Sequence, residues 1–234
     1  IVFVCASTLN STWVLMNSAT NVWEGGLGSS SGELGHNLMD HMLNSGAAGR
    51  VEGFEDKYIF GRRANGLYVP RFANIAGDTK RRDYVRGFGY QGGASRGQWS
   101  GKVDNKSVGG AWKDAIAEPG SWGVGFSAFG EILPYHENKV LLDSSVKDKW
   151  GLPVLAIDAE IKDNERKIRV DASNEMKEML ESIGVKDVTT YDNAFSMGQG
   201  IHEMRTARMA SDPKTSLLNK FNQVWDAKNV FVTD

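Results

Sequence analysis

GIHEMRTARMASDP, residues 200–213, opens on a glycine, an isoleucine and then a histidine followed by an acid. The last two begin the zinc-protease pattern H-E-x-x-H, in which two histidines four apart share a helix face and hold the metal. Here Arg205 and Thr206 follow and the second histidine never comes, so His202 needs another role. Further along, NVFVTD (229–234) reads as a short buried strand, and so does IVFVCAS (1–7) at the opposite end. Both are too short for a membrane span or a signal peptide. Natural termini are usually polar and loosely held, so buried strands at both extremes predict a piece of a longer chain. Cys5 has apolar neighbours and is expected to be a small buried hydrophobe.

The 234 residues are 41% hydrophobic and 24% charged, enough to build one large core or two small ones. Formal net charge is -2, with Lys and Arg scattered among Asp and Glu. No basic stripe stands out to neutralise phosphates, which argues against a nucleic-acid partner. A single cysteine excludes an internal disulfide and any multi-cysteine metal site.

Between the ends, NSTWVLMNS (10–18) predicts a short helix with Asn10 or Ser11 as N-cap and Trp13, Val14, Met16 and Asn17 at near-helical spacing. EGGLGSSSG (24–32) predicts a turn-rich loop. From about 51 to 130 the chain is rich in Gly, aromatics and Arg, with short alternating runs such as KYIFG (57–61) and GLYVPRF (66–72), the texture of a sheet with long connections. NKVLLD (138–143) and LPVLAIDAEI (152–161) predict two more strands. The clearest helix lies in 162–185, where Ile168, Ala172, Met176, Met179, Leu180 and Ile183 recur at three- and four-residue steps and Gly184 sits where a left-handed cap belongs. Its methionines form a core-facing stripe, which is far commoner than a cofactor box.

The candidates for chemistry thin out quickly. His36, Asp40 and His41 contain two imidazoles, but five residues apart they point different ways on a helix and no third ligand cluster supports them. GVGFSA (123–128) fits G-x-G-x-x-A, yet neither a strand before it nor a helical stripe after it is legible. GLGSSSG has no Lys for a phosphate loop, and no G-x-S-x-G elbow offers a nucleophilic serine.

Four stretches taken together resemble one family. CASTLNSTWVLMNS (5–18), SSSGELGHNLMDHM (29–42), HEMRTARMASDPKTS (202–216) and NQVWDAKNVFVTD (222–234) are similar, in order and spacing, to landmarks of the glucose-methanol-choline (GMC) flavoprotein oxidoreductases. The likeness runs in particular to the bacterial branch that includes gluconate and fructose dehydrogenase large subunits. G-x-N-L-x-D-H followed late by H-x-x-G-T-x-R-M-G is the specific part.

The resemblance implies an α+β fold: an antiparallel β-sheet substrate domain covered by helices, with partial strands of an FAD-binding α/β domain at both ends. It divides the chain into 1–45, a remnant of the FAD-binding domain, 46–195, the substrate-binding domain, and 196–234, the catalytic-histidine segment. FAD is the implied cofactor. Ala6, Ser7 and Thr8 fall on the turn that approaches it, with Ser7 where many relatives have Gly. Asn37, Asp40 and His41 fall on a loop packed near the flavin, and Asp234 on the last flavin-contacting turn. His202 falls on the catalytic histidine. Imidazole, with an ordinary pKa of about 6.5, can accept the hydroxyl proton of an alcohol near neutral pH while the carbinol hydride passes to flavin N5. The implied substrate is a sugar, sugar acid or polyol, and the implied partners are a small subunit and a cytochrome c subunit, with a periplasmic setting.

Two departures stand out. Arg205 and Ala210 occupy positions where the family pattern has Gly, which usually marks positive φ or a close backbone approach. A long cation at 205 is therefore expected to strain the turn unless it points outward. The N-terminal dinucleotide fingerprint and the final active-site segment are not among these residues, so the 234 residues alone are expected not to retain FAD or to work as an enzyme. A reading of a different class rests on the seven tryptophans, which could make a carbohydrate-binding module without redox chemistry.

Overall fold

The computed structural model describes residues 1–57, 66–97, 108–118 and 120–233. In chain order its elements are β1 (Val2–Val4), α1 (Thr8–Asn17), β2 (His41–Met42), β3 (Ser45–Val51), β4 (Leu67–Val69), β5 (Phe88–Arg96), α2 (Gly110–Ala117), β6 (Trp122–Glu131), β7 (Lys139–Lys147), β8 (Pro153–Asp158), α3 (Asp163–Ser182), β9 (Lys186–Asp192) and β10 (Val230–Val232). They fall into two compact units. One takes in Ile1–His41, Glu131–Lys162 and the segment from Ser196 onward; the other takes in Met42–Gly130 and Asp163–Phe195.

The second unit is a mixed α/β body on an antiparallel sheet in the order β4–β5–β6–β3–β9, with β2 also paired to β6. Its helix is the one expected from the sequence. Ile168, Ala172, Met176 and Leu180 of α3 are at most 1% exposed, and the helix packs on β3 and β9. Burying each of the three large side chains contributes about 2 kcal/mol. Gly184 takes the left-handed φ of 86° that ends the helix. Ile183, expected in the apolar stripe, is 74% exposed because the helix stops one residue before it. Arg169 was not singled out by periodicity, yet it is buried on the same helix. Its guanidinium donates to the Asp192 carboxylate and to the carbonyls of Leu43 and Asn193, tying α3 to the end of the β3–β9 pair where Ser45 faces Asp192. GVGFSA lies in mid-strand in β6, where Gly125 pairs with both Ala48 and Gly93, so it forms no phosphate loop. Of the two short runs expected as strands, GLYVPRF supplies β4; residues 58–61 of KYIFG lie outside the described residues.

The first unit holds a parallel pair, β1 with β10, and an antiparallel pair, β7 with β8. Its core gathers Leu15 from α1, Leu34, Leu217, Leu218, Val224 and the β10 residues Val230 and Val232. β10 is buried as its apolar run requires, but β1 is not: Val2 is 50% and Phe3 62% exposed. Among the described residues β10 is its one partner strand, and β1 is left largely open. Cys5, expected to be buried, is likewise exposed, and its sulfur lies 2.9 Å from Thr233 Oγ1.

Helix α1 begins at Thr8, earlier than the N-cap signals at Asn10 and Ser11 suggested. Ser11 turns inward instead, and its hydroxyl accepts the Ala6 N–H at 3.0 Å. The buried side of α1 is Ser11, Thr12 and Leu15, a partly polar face, while Val14 is 37% exposed. The 24–32 stretch is a turn-rich loop as expected, with a short 3-10 turn at Ser29–Ser31 between the left-handed Gly28 and Gly32. Among the described residues no helix is long and apolar enough to cross a membrane.

Candidate active site

Within the first unit, three of the sequence stretches meet although far apart along the chain. Met39 and Met204 exchange both backbone hydrogen bonds, at 3.1 and 3.0 Å, and Gly35 N–H reaches the Thr206 carbonyl at 2.8 Å. The 35–41 segment and the 202–206 segment are thereby zipped together. The start of α1 joins them. Thr8 Oγ1 donates to the Glu203 carbonyl at 2.7 Å, and the fully buried hydroxyls of Thr12 and Thr206 share a bond of 2.6 Å.

His202 is exposed, with its ring edge-on to that of His41 at a centroid separation of 4.8 Å and an interplanar angle of 87°. Asp40, next to His41, is 3% exposed. Its carboxylate accepts the backbone N–H groups of His41 at 2.7 Å, Gly198 at 3.1 Å, Gly200 at 2.8 Å and His202 at 3.3 Å. The loop can close so tightly only because residue 200 is glycine, since a Cβ there would stand 2.1 Å from Asp40 Oδ1. Asn37 is buried with φ 64°, and its amide donates to Glu33 Oε2 at 2.7 Å. His36 is turned elsewhere. It stacks on His136 at 4.2 Å, with Nδ1 2.8 Å from the His136 carbonyl oxygen. His36, Asp40 and His41 therefore do not converge as ligands.

Ala6 and Ser7 lie in the turn between β1 and α1, Thr8 opens the helix, and all three are exposed or half-buried. Ser7 has φ 65° and Arg205 has φ 78°. Of the two positions where glycine was expected to mark positive φ or a close approach, Arg205 adopts the left-handed backbone and Ala210 does not, and the Arg205 side chain is exposed. Asp234 lies outside the described residues.

A cavity of about 250 Å³ opens in this unit, lined by Thr8, Arg205, Arg208, Leu218, Asn222 and Val232 among others. It sits at the first residue of α1 and at the carboxyl end of β10, the side of parallel strands from which open α/β sheets take nucleotides. Arg208 was not assigned a role from the sequence. It stands 3.8 Å from Glu33, which also accepts from Asn37. The signal that could have found it is its place in the R-M pair of the late motif, three residues after Arg205. Among the described residues Trp150 is the one exposed tryptophan, and the others are half-buried.

A model of the GMC oxidoreductase family matches residues 134–234. The 2-methyl-1,2-propanediol dehydrogenase of Mycolicibacterium austroafricanum is 31% identical over 243 aligned positions, covering 100% of this chain and 42% of that protein. The gluconate 2-dehydrogenase flavoprotein of Pantoea cypripedii is 30% identical over 132 positions, 53% of this chain and 21% of its own length. The chain thus spans less than half the length of either relative. The family's cofactor is FAD. The cavity suits a part of it: two guanidinium groups and an open backbone turn accept an anionic group, and the volume is below that of a pocket enclosing a whole drug-sized ligand. Residues 134–234, which carry the late motif on the cavity wall, therefore form a GMC oxidoreductase C-terminal domain, and the chain as a whole is similar to a dehydrogenase along all 234 residues.

Proposed function

We propose that this chain supplies the catalytic base and part of the FAD cradle of a dehydrogenase that oxidises a CH–OH group of a sugar, sugar acid or polyol. The observation that carries the reading is the exposed His202 imidazole, held against the 35–41 segment beside the cavity that Met204 and Arg205 line. In this reading the first unit, with β1 and β10, belongs to the FAD-binding side and the antiparallel sheet of the second to the substrate side. Ala6, Ser7 and Thr8 present open backbone to the cofactor, Arg205 and Arg208 offer it positive charge, and Asp234 is a further flavin contact by resemblance alone. FAD, when bound, supplies the hydride acceptor.

The residues of the chain handle the proton. Neutral His202 accepts the substrate hydroxyl hydrogen at a ring nitrogen, which raises the electron density on the carbinol carbon as its hydride leaves. His41, edge-on to His202, limits the rotation of that ring and so narrows the orientations from which the hydroxyl can be met. The names of the relatives favour small hydroxylated substrates, a diol in one and gluconate in the other. The small and cytochrome c subunits belong to the same reading.

The test uses the flavin-loaded holoenzyme with gluconate and a 1,2-diol as probes, following flavin bleaching by stopped flow. His202→Ala is expected to slow reduction by about 10²–10⁴-fold with the flavin content unchanged, the usual contribution of a general base. Bleaching at the wild-type rate in His202→Ala removes the base from the scheme.

A further inference from the structure

We infer that Asp40 is the positioning residue for His202, acting through backbone rather than through cofactor or substrate; this rests on the reading of His202 as the base. The carboxylate is 3% exposed, and among the described residues no cation forms an ion pair with it. Its charge is met by four backbone N–H groups instead. Oδ2 takes Gly198 and Gly200, and Oδ1 takes His41 and His202. The shared use of Oδ1 is the decisive detail. One oxygen anchors the backbones of two residues 161 positions apart in sequence, those whose rings then meet edge to face at 4.8 Å.

The loop has the features of a segment shaped around a buried anion. Gly198 and Ile201 both take left-handed φ, 88° and 57°, which turns successive N–H groups toward one point. Ile201 is 78% exposed, so side-chain burial does little to hold its backbone there, and the carboxylate supplies that hold. Gly200 leaves the space that Asp40 occupies; a methyl group at 200 would stand 2.1 Å from Oδ1. Charge-assisted bonds of this kind are roughly twice as strong as neutral ones, so the loop and His202 are set together by one side chain.

The experiment is a double-mutant cycle in the flavin-loaded holoenzyme, with histidine-selective labelling to follow the ring signals of His41 and His202. Asp40→Asn keeps the shape but faces two of the four N–H groups with an amide donor. Gly200→Ala keeps the carboxylate but pushes the loop from it, which provides a second route should Asn fail to fold. Either change is expected to slow flavin reduction by up to about a hundredfold, the scale of a 1 Å misplacement. It should do so far less in a His202→Ala background, because a residue that acts only through His202 has nothing left to place. The His202 ring resonances should shift in both single variants, independent of turnover. Equal rate losses in both backgrounds, or His202 resonances unmoved by Asp40→Asn and Gly200→Ala, overturn the proposal. Full activity in His202→Ala with shifted resonances would instead leave Asp40 as the anchor and remove the base.

Discussion

Replacing Arg205 by glycine should stabilise the first unit. At φ 78° the residue sits in the left-handed region, which costs an L-amino acid other than glycine roughly 1–2 kcal/mol. Glycine removes that cost but brings about 0.5–1 kcal/mol of extra freedom in the unfolded chain. The side chain is exposed, and among the described residues nothing forms a hydrogen bond or ion pair with it, so little contact energy is lost. The net is a gain of about 0.5–1 kcal/mol, or roughly 1–4 °C in Tm for a chain of this size. Arg205→Ala is the control, since alanine keeps the backbone cost and should show no gain. Unfolding followed through Trp13 and Trp225, both in the first unit, isolates the relevant transition. Equal stability of the Gly and Ala variants would refute the reasoning, because the left-handed backbone would then carry no measurable strain. Both variants should weaken FAD retention alike through the lost cation, which separates the role of the charge from that of the backbone.

Arg169→Met should destabilise the second unit by about 2–3 kcal/mol in urea unfolding. It leaves the Leu43 and Asn193 carbonyls and Asp192 without their donor, and the half-exposed Asp192 carboxylate keeps the loss below that of a fully buried pair. Thr206→Val should cost about 1–2 kcal/mol, since the Thr12 hydroxyl, wholly buried, loses its partner at 2.6 Å. Lys162 holds the Glu137 carboxyl below the usual carboxylate range through a side-chain hydrogen bond. A depressed folded pKa means the pair's stabilisation is present above the ordinary Glu range and is lost as pH falls through the folded value. A carbon-detected titration of Glu137 should show that depression and lose it in Lys162→Met.

The legible parts of the molecule were those in which local pattern and tertiary packing agree. Helix α3 shows a four-residue stripe that the sheet does bury, and its left-handed end is marked by Gly184. The positive φ at Arg205 is signalled only by the glycine of the family pattern, since arginine does not announce that conformation, and the same signal misleads at Ala210, whose φ is not positive. The start of α1 was misjudged because Ser11, a good cap by type, is drawn inward to receive the Ala6 N–H. The exposure of β1 depends on how many strands flank it, which no run of apolar residues records. The task of Asp40 was hidden for a related reason: its partners are backbone groups of Gly198, Gly200 and His202, and a carboxylate that binds amides leaves no pattern of side-chain types. The spaced glycines before His202 were the available trace.

The pairing of β1 with β10 also bears on synthesis. Cys5 and Thr233 meet although they stand 228 positions apart in sequence. On the ribosome, β1 cannot form this pair until β10, far later in the chain, has emerged. The antiparallel sheet of the second unit needs no such wait, because its strands and helix lie between residues 42 and 195. Assembly of the site around His202, which needs both the start of α1 and the 202–206 segment, therefore follows that of the second unit.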